Sequence, residues 1–463
     1  MDERADLHSI IEFHCLPRLC KRTNFKMPST TDPATTFRVA IVQTGTVVFN
    51  TKATLEKLKV LTAEAAKKGA QLVLFPEAFV GGYITGMDFG VGPCDVVPTN
   101  RHEYERYFNA AVEYESAESD IIGETARQHN VYLVTGAIER EKGTLYCAVF
   151  FYGPGGKKLG KHRKVMPTAL ERVAWGQGDG STMPVIDTSL GKMGAIICFE
   201  NMMPLMRAAM YRKGIQLYIV PNAVDRETWQ TTVRAIALEG RCFVFSLCQF
   251  LRASAFPESH PRHADGERIL MRGGSSAYSP LGDVLLEPNF EGERVDIVEC
   301  NMGELIRAKI DLDVAGHYSR PDIFQLTVNE NRLHYAFMAR NSQNELYIVP
   351  NAVDSETWQT TVRAIALEGR CFVFSLCQFL RASAFPESHP RHADGERILM
   401  RGGSSAYSPL GDVLLEPNFE GERVDIVECD MGELIRAKID LDVAGHYSRP
   451  DIFQLTVNEN RLQ

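Results

Sequence analysis

The chain has 463 residues, 44% of them hydrophobic and 24% charged, the balance of an ordinary globular protein with ample material for a core. Its net charge of −9 argues against the clustered basic face of a nucleic-acid binder. No apolar run nears the roughly 18 residues that a bilayer span requires, so no membrane segment is expected.

Residues 1–35 read as a flexible polar leader without a secretory signal, and Met27 offers a second start. FRVAIVQT then predicts a strand, and ATLEKLKVLTAEAAKKGA an amphipathic helix closed by Gly69. QLVLFP is the next strand, and helical ESAESDIIGETARQHN leads into the strands VYLVTGAIER and LYCAVFFYG. MGAIICF, LYIV and CFVFSLCQF supply further strands, with helices at about residues 203–213 and 228–239 between them. GGSSAYSP, DVLLEP and RVDIVEC read as hairpin strands divided by Gly, Pro and Asn turns. The alternation predicts a layered α/β domain over residues 36–333. Most of the eleven cysteines sit inside such apolar runs, Cys147, Cys242 and Cys248 among them. Buried free thiols in a cytoplasmic protein are therefore expected rather than a disulfide framework.

The end of this domain is written twice. Residues 217–333 recur as 346–462 at an offset of 129, and only Arg226/Ser355 and Asn301/Asp430 differ. Residues 334–345 link the copies, which leaves 346–463 as a partial duplicate. One long, nearly unchanged copy is not a solenoid. The first copy is expected to complete the main domain because its chain closure is shorter. The second is expected to pack loosely, with unpaired edges, or to mimic half of a partner subunit.

Three motifs stand at strand ends. In FPEAFVGGY the strand runs into Glu77 between Phe75 and Phe79, where desolvation raises a carboxyl pKa and suits a general base. The basic run Lys161–Lys164 has the ordinary reading of a solvated face, but Lys164 precedes apolar Val165 and Met166 and is the member expected to point inward. Glu171 is a local carboxylate for it. In ICFENMMPLMR an apolar strand ends at Cys198, and a helix begins near Pro204. A thiol there is expected to be exposed near a helix N-terminus, which favours thiolate. Singly, each motif has a structural explanation; together they are the parts of an activated-nucleophile site. No protease-type His signature, H-E-x-x-H or C-x-x-C occurs, so no metal site is expected.

On these motifs the chain, from about Phe37 to Leu326, resembles the nitrilase branch of the carbon–nitrogen hydrolases. GHYSRPD at 316–322 and TALER with WGQGDGST add to the resemblance. It implies a four-layer α-β-β-α sandwich followed by the duplicated partial α/β segment, in a homo-oligomer that is a dimer or larger. It also implies hydrolysis of a small nitrile to acid and ammonia, without a cofactor, with Cys198 as nucleophile, Glu77 as base, Lys164 as electrophile and Glu171 as the additional glutamate. Trp175, Phe199, Glu200 and Asn222 would then lie near the substrate. The alternatives are an amidase or carbamoylase, a nitrile or cyanide hydratase, and a catalytically dead product of the duplication. Three departures bear on substrate range: Phe199 where Trp is usual, PNAVD at 221–225, and ITGMDFG at 84–90.

Overall fold

The computed structural model describes residues 36–89, 91–92, 95–96, 101–331, 346–352, 355–437, 441–443 and 446–457; the expected leader and linker lie outside them. The elements that frame the site begin with β1 (Thr36–Gln43), α1 (Thr51–Lys67), β2 (Leu72–Leu74), α2 (Ala117–His129), β3 (Tyr132–Glu141), β4 (Thr144–Tyr152) and β5 (Lys158–Arg163). They continue with β6 (Ile186–Thr188), β7 (Gly191–Ala195), α3 (Pro204–Arg212), β8 (Leu217–Asn222), α4 (Thr228–Gly240) and β9 (Phe243–Cys248). β10 (Ser276–Tyr278), β11 (Val284–Leu286), β12 (Arg294–Asn301) and β13 (Phe324–Val328) close the first copy. The second copy contributes β14 (Leu346–Asn351), α5 (Glu356–Gly369), β15 (Phe372–Cys377), β16 (Ser404–Tyr407), β17 (Val413–Asn418) and β18 (Phe453–Val457).

Local chemistry sets the helix ends. The Asn50 side chain accepts from the N–H of Ala53 to start α1, and Gly69, at φ +86, turns the chain out after it. Ser116 caps α2, and Asn130 ends it in the left-handed region.

Two six-stranded sheets result, ordered β12-β1-β2-β3-β4-β5 and β11-β10-β9-β8-β7-β6. Each has three parallel central strands with antiparallel strands outside. Strand alternation divides the first sheet's side chains. Val39, Ile41, Leu74 and Val134 join Ala195, Ile219 and Phe245 of the second sheet in one core. Ala40, Val42, Val73 and Phe150 face the other way, against Leu55 and Leu58 of α1 and Ile122 and Ala126 of α2. Trp229 and Val233 of α4 and Met206 of α3 pack with the second sheet. The architecture is the α-β-β-α sandwich.

One expected pairing is different. RVDIVEC does not form a hairpin with DVLLEP; as β12 it crosses to the other sheet and pairs antiparallel with β1, Val39 opposite Val298. None of the eight described cysteines is in a disulfide, and no described helix is long and apolar enough to cross a membrane.

The first copy fills both sheets of the sandwich. The second forms its own sheet, β14-β15-β16-β17, over a small cluster of Val362, Ala366, Val373 and Tyr407. Its counterpart of β12 is not a strand, and Val424 and Ile426 there are 97% exposed, because the partner β1 was not duplicated.

Candidate active site

Glu77 follows β2 through Phe75 and Pro76, and Phe75 stacks on Phe79 with ring centroids 5.0 Å apart. The next residue, Ala78, turns the chain at φ 51. Gly136 of β3 lies so close that a Cβ there would stand 2.2 Å from the Pro76 carbonyl oxygen. From the opposite sheet, Gln249 Nε2 donates to the Glu77 carbonyl at 2.8 Å. The Glu77 side chain is therefore held at the seam of the two sheets. Burial pushes its carboxyl up to about 7, against the lowering influence of Lys164 and with that of Glu171. Its Oε2 is buried and has no hydrogen-bond partner among the described residues.

Lys164 leaves the end of β5, its N–H donating to the Cys147 carbonyl at 2.8 Å. Its ammonium donates to Glu77 Oε1 at 2.8 Å and to Glu171 Oε2 at 2.7 Å, with all three side chains out of water. Desolvation works against this charge, but the Glu171 and Glu77 carboxylates outweigh it and hold Lys164 well above its ordinary value. The Trp175 ring lies 5.6 Å from Nζ. The rest of the basic run is not a solvated face. Lys161 and Arg163 reach Glu139 at 2.5 and 2.7 Å, and buried His162 meets Glu200 at 2.9 Å.

Cys198 follows β7 through Ile196 and Ile197, at the start of a short 3₁₀ turn, Cys198–Met202, ahead of α3. Its φ of 52 is a left-handed conformation that a non-glycine residue rarely adopts, and it bends the chain sharply at the thiol. Asn201 Nδ2 holds the turn by donating to the Ile196 and Cys198 carbonyls at 2.9 and 2.8 Å. The expected exposed, thiolate-prone cysteine is corrected here. Cys198 is buried, and desolvation first, then the Glu77 charge, pushes its thiol well above the ordinary value, with Lys164 opposing.

Of the residues expected near the substrate, Trp175 donates to Tyr107 at 2.9 Å and meets Tyr83 edge-on, and Phe199 stacks on Trp229. Glu200 and Asn222 are braces. The Glu200 carboxylate is occupied by His162 and by the N–H groups of Val165 and Ile197, tying the Lys164 loop to the Cys198 turn. The Asn222 amide is spent on Ser246, Val220, Leu247 and Val224. Four further residues at the cluster were not marked by the sequence as part of the site. Tyr83 donates to Glu171 Oε1 at 2.6 Å, Cys147 donates to Glu77 Oε1 at 3.5 Å, and Gln249 and Tyr107 act as described. Tyr83 sits inside FPEAFVGGY, so its motif was visible although its role was not.

A buried base with one free oxygen, an ammonium between two carboxylates, and a thiol on a strained turn can together deprotonate, attack and stabilise developing negative charge. The carbon–nitrogen hydrolase family model matches residues 38–310 and 325–439. Nitrilase 1 of Arabidopsis thaliana is 49% identical over 307 residues, covering 65% of this chain and 88% of that protein. The bifunctional nitrilase/nitrile hydratase NIT4A of Lupinus angustifolius is 47% identical, covering 64% and 87%. A nitrilase of Bradyrhizobium diazoefficiens is also 47% identical, covering 64% and 92%. Among solved structures, a carbon–nitrogen hydrolase from Helicobacter pylori matches with a TM-score of 0.49 and 20% identity, over 60% of this chain and 92% of that one.

Proposed function

The chain belongs to the nitrilase branch of the carbon–nitrogen hydrolase family and hydrolyses nitriles, and we propose that Cys198, Glu77, Lys164 and Glu171 carry the reaction. The observation that supports this most is the buried Lys164 ammonium bridging Glu77 and Glu171 beside the strained Cys198 turn. Because burial keeps the resting thiol protonated, attack is coupled to proton transfer from Cys198 to Glu77 rather than made by a preformed thiolate.

The sulfur adds to the nitrile carbon, one C–N π bond breaks, and the nitrogen takes a proton to give a thioimidate. Lys164 stabilises the negative charge that builds on that nitrogen. Glu171, fixed by Tyr83 and by the Thr168 N–H at 2.6 Å, keeps Lys164 charged and oriented. A first water, deprotonated by Glu77, adds to the same carbon, and ammonia leaves to give a thioester. A second water releases the carboxylic acid and returns the proton to sulfur. Two waters are consumed for each acid and ammonia formed.

Residues 36–333 are proposed as the catalytic domain of a cytoplasmic homo-oligomer; the buried cysteines without disulfides support the reducing compartment. The test is ammonia release from a panel of nitriles by the full chain and by Cys198→Ala, with acid and amide product measured separately. Loss of turnover in Cys198→Ala with acid as the main product is expected. Unchanged turnover in that variant overturns the reading.

A further inference from the structure

Where the second copy meets the main domain, each part faces its own duplicate. β13 pairs antiparallel with β18, its copy, in a register that places Leu326 opposite Leu455 and Phe324 opposite Val457. Leu455 is the residue 129 positions beyond Leu326, so the strand pairs with itself about its own centre. That register belongs to a twofold, isologous interface. α4 likewise lies against α5, its copy, and Arg207 bridges Glu239 at 2.9 Å and the duplicate of that residue, Glu368, at 2.6 Å. A cleft of about 670 Å³ between these helices is lined by Ile236, Trp358 and Ile365 among others.

The described residues of the two GHYSRPD copies lie in opposite surroundings. In the first, Tyr318 is 62% exposed, and Arg320 lies in the open beside Asp322. In the second, Tyr447 is fully buried and donates to Thr168 Oγ1 at 2.8 Å. Arg449 is buried too; it donates to the carbonyls of Val165 and Gly178 and is fixed by Asp451 at 2.6 Å. These contacts reach the chemistry in one step. Val165 follows Lys164, the Gly178 N–H donates to the Lys164 carbonyl at 2.8 Å, and the Thr168 N–H donates to Glu171.

We infer that the second copy serves as an internal partner subunit: it occupies the twofold face of the main domain and supplies Tyr447 and Arg449 as positioning residues for the loop that carries Lys164 and Glu171. The inference rests on the catalytic roles proposed above for that lysine and glutamate. Because the two copies have the same sequence in this motif, the main domain is served by the copy that is not part of it.

The test uses the full chain and matched substitutions 129 residues apart. Arg449→Met is expected to lower kcat/KM on a nitrile by about tenfold to a hundredfold, mostly in kcat, as loss of loop position does. Arg449→Lys should recover part of that loss, and Tyr447→Phe should lower kcat by about threefold to tenfold. Arg320→Met and Tyr318→Phe should stay within about twofold of the parent. If Arg449→Met does not fold, Tyr447→Phe against Tyr318→Phe still decides. Equal effects at the two members of each pair, whether both harmless or both harmful, overturn the inference. A dead Cys198→Ala beside equal pairs removes this inference alone, whereas an active Cys198→Ala removes the catalytic reading.

Discussion

Replacing Lys164 with Met removes the cation that stands between two buried carboxylates. Its Nζ lies 2.8 Å from Glu77 and 2.7 Å from Glu171, and none of the three side chains is more than 3% exposed, so water cannot take its place. Breaking a buried pair in this way costs about 3–5 kcal/mol if the charge stays. The site has an escape, because one carboxyl can take up a proton. Glu77 is already pushed to about 7 by burial, and without Lys164 the influence that lowers it is gone, so it rises further. A carboxyl whose folded value lies above its unfolded value binds more protons in the folded state, so folding stability falls as pH rises between the two values. The fall therefore runs from the unfolded value of 4.5 to about 7 in the parent, and extends to higher pH in Lys164→Met. The gap in melting temperature between the two should widen above about pH 7. Turnover should drop by about a hundredfold to a thousandfold through loss of the electrophile, and the acid limb of kcat/KM should move above its position near 7. Ammonia release against pH, with thermal melts in the same buffers, measures both. A variant within tenfold of the parent with an unmoved acid limb refutes the role given to Lys164.

Three further outcomes follow from the geometry. Gly136→Ala would place a Cβ 2.6 Å from the Ala78 nitrogen and 2.7 Å from the Glu77 Cα, so turnover is expected to fall by about a hundredfold while circular dichroism stays native; wild-type turnover would show that Glu77 does not depend on this close approach. Glu200→Gln puts a donor where the carboxylate accepts from His162, Val165 and Ile197, at a cost of about 1–3 kcal/mol. An unchanged denaturation midpoint would contradict its bracing role. Tyr83→Phe removes the 2.6 Å bond to Glu171 and should lower kcat/KM about tenfold; full activity would leave Glu171 positioned by Thr168 alone.

Most of the chemistry was legible before any fold was known, because it depends on short-range pattern. Apolar runs end at Glu77, before Lys164 and at Cys198, and a strand that stops at a reactive residue is visible from its neighbours alone. The protonation of the thiol was not legible. The sequence places Cys198 at a turn, but the burial of its thiol and the Glu77 charge that acts on it come from the tertiary fold, Glu77 being far off in the chain. Tyr83, Cys147 and Gln249 were missed for the same reason: their partners at Glu171 and Glu77 are 88, 70 and 172 positions away.

The duplicated segment divides the two kinds of information most sharply. By itself the sequence determined that residues 217–333 and 346–462 share the same elements, since their local propensities are nearly identical. Shorter chain closure already favoured the first copy for the main domain, but the sequence did not show how far each duplicated residue would be exposed. Leu217 and Ile219 are fully buried, while their duplicates Leu346 and Ile348 are 50% and 56% exposed. Arg320 is open to solvent, whereas Arg449 is locked against the Lys164 loop. The tertiary structure decided this because burial is a property of neighbours. β7 and β1 exist once in the chain, and it is the first copy's β8 and β12 that pair with them.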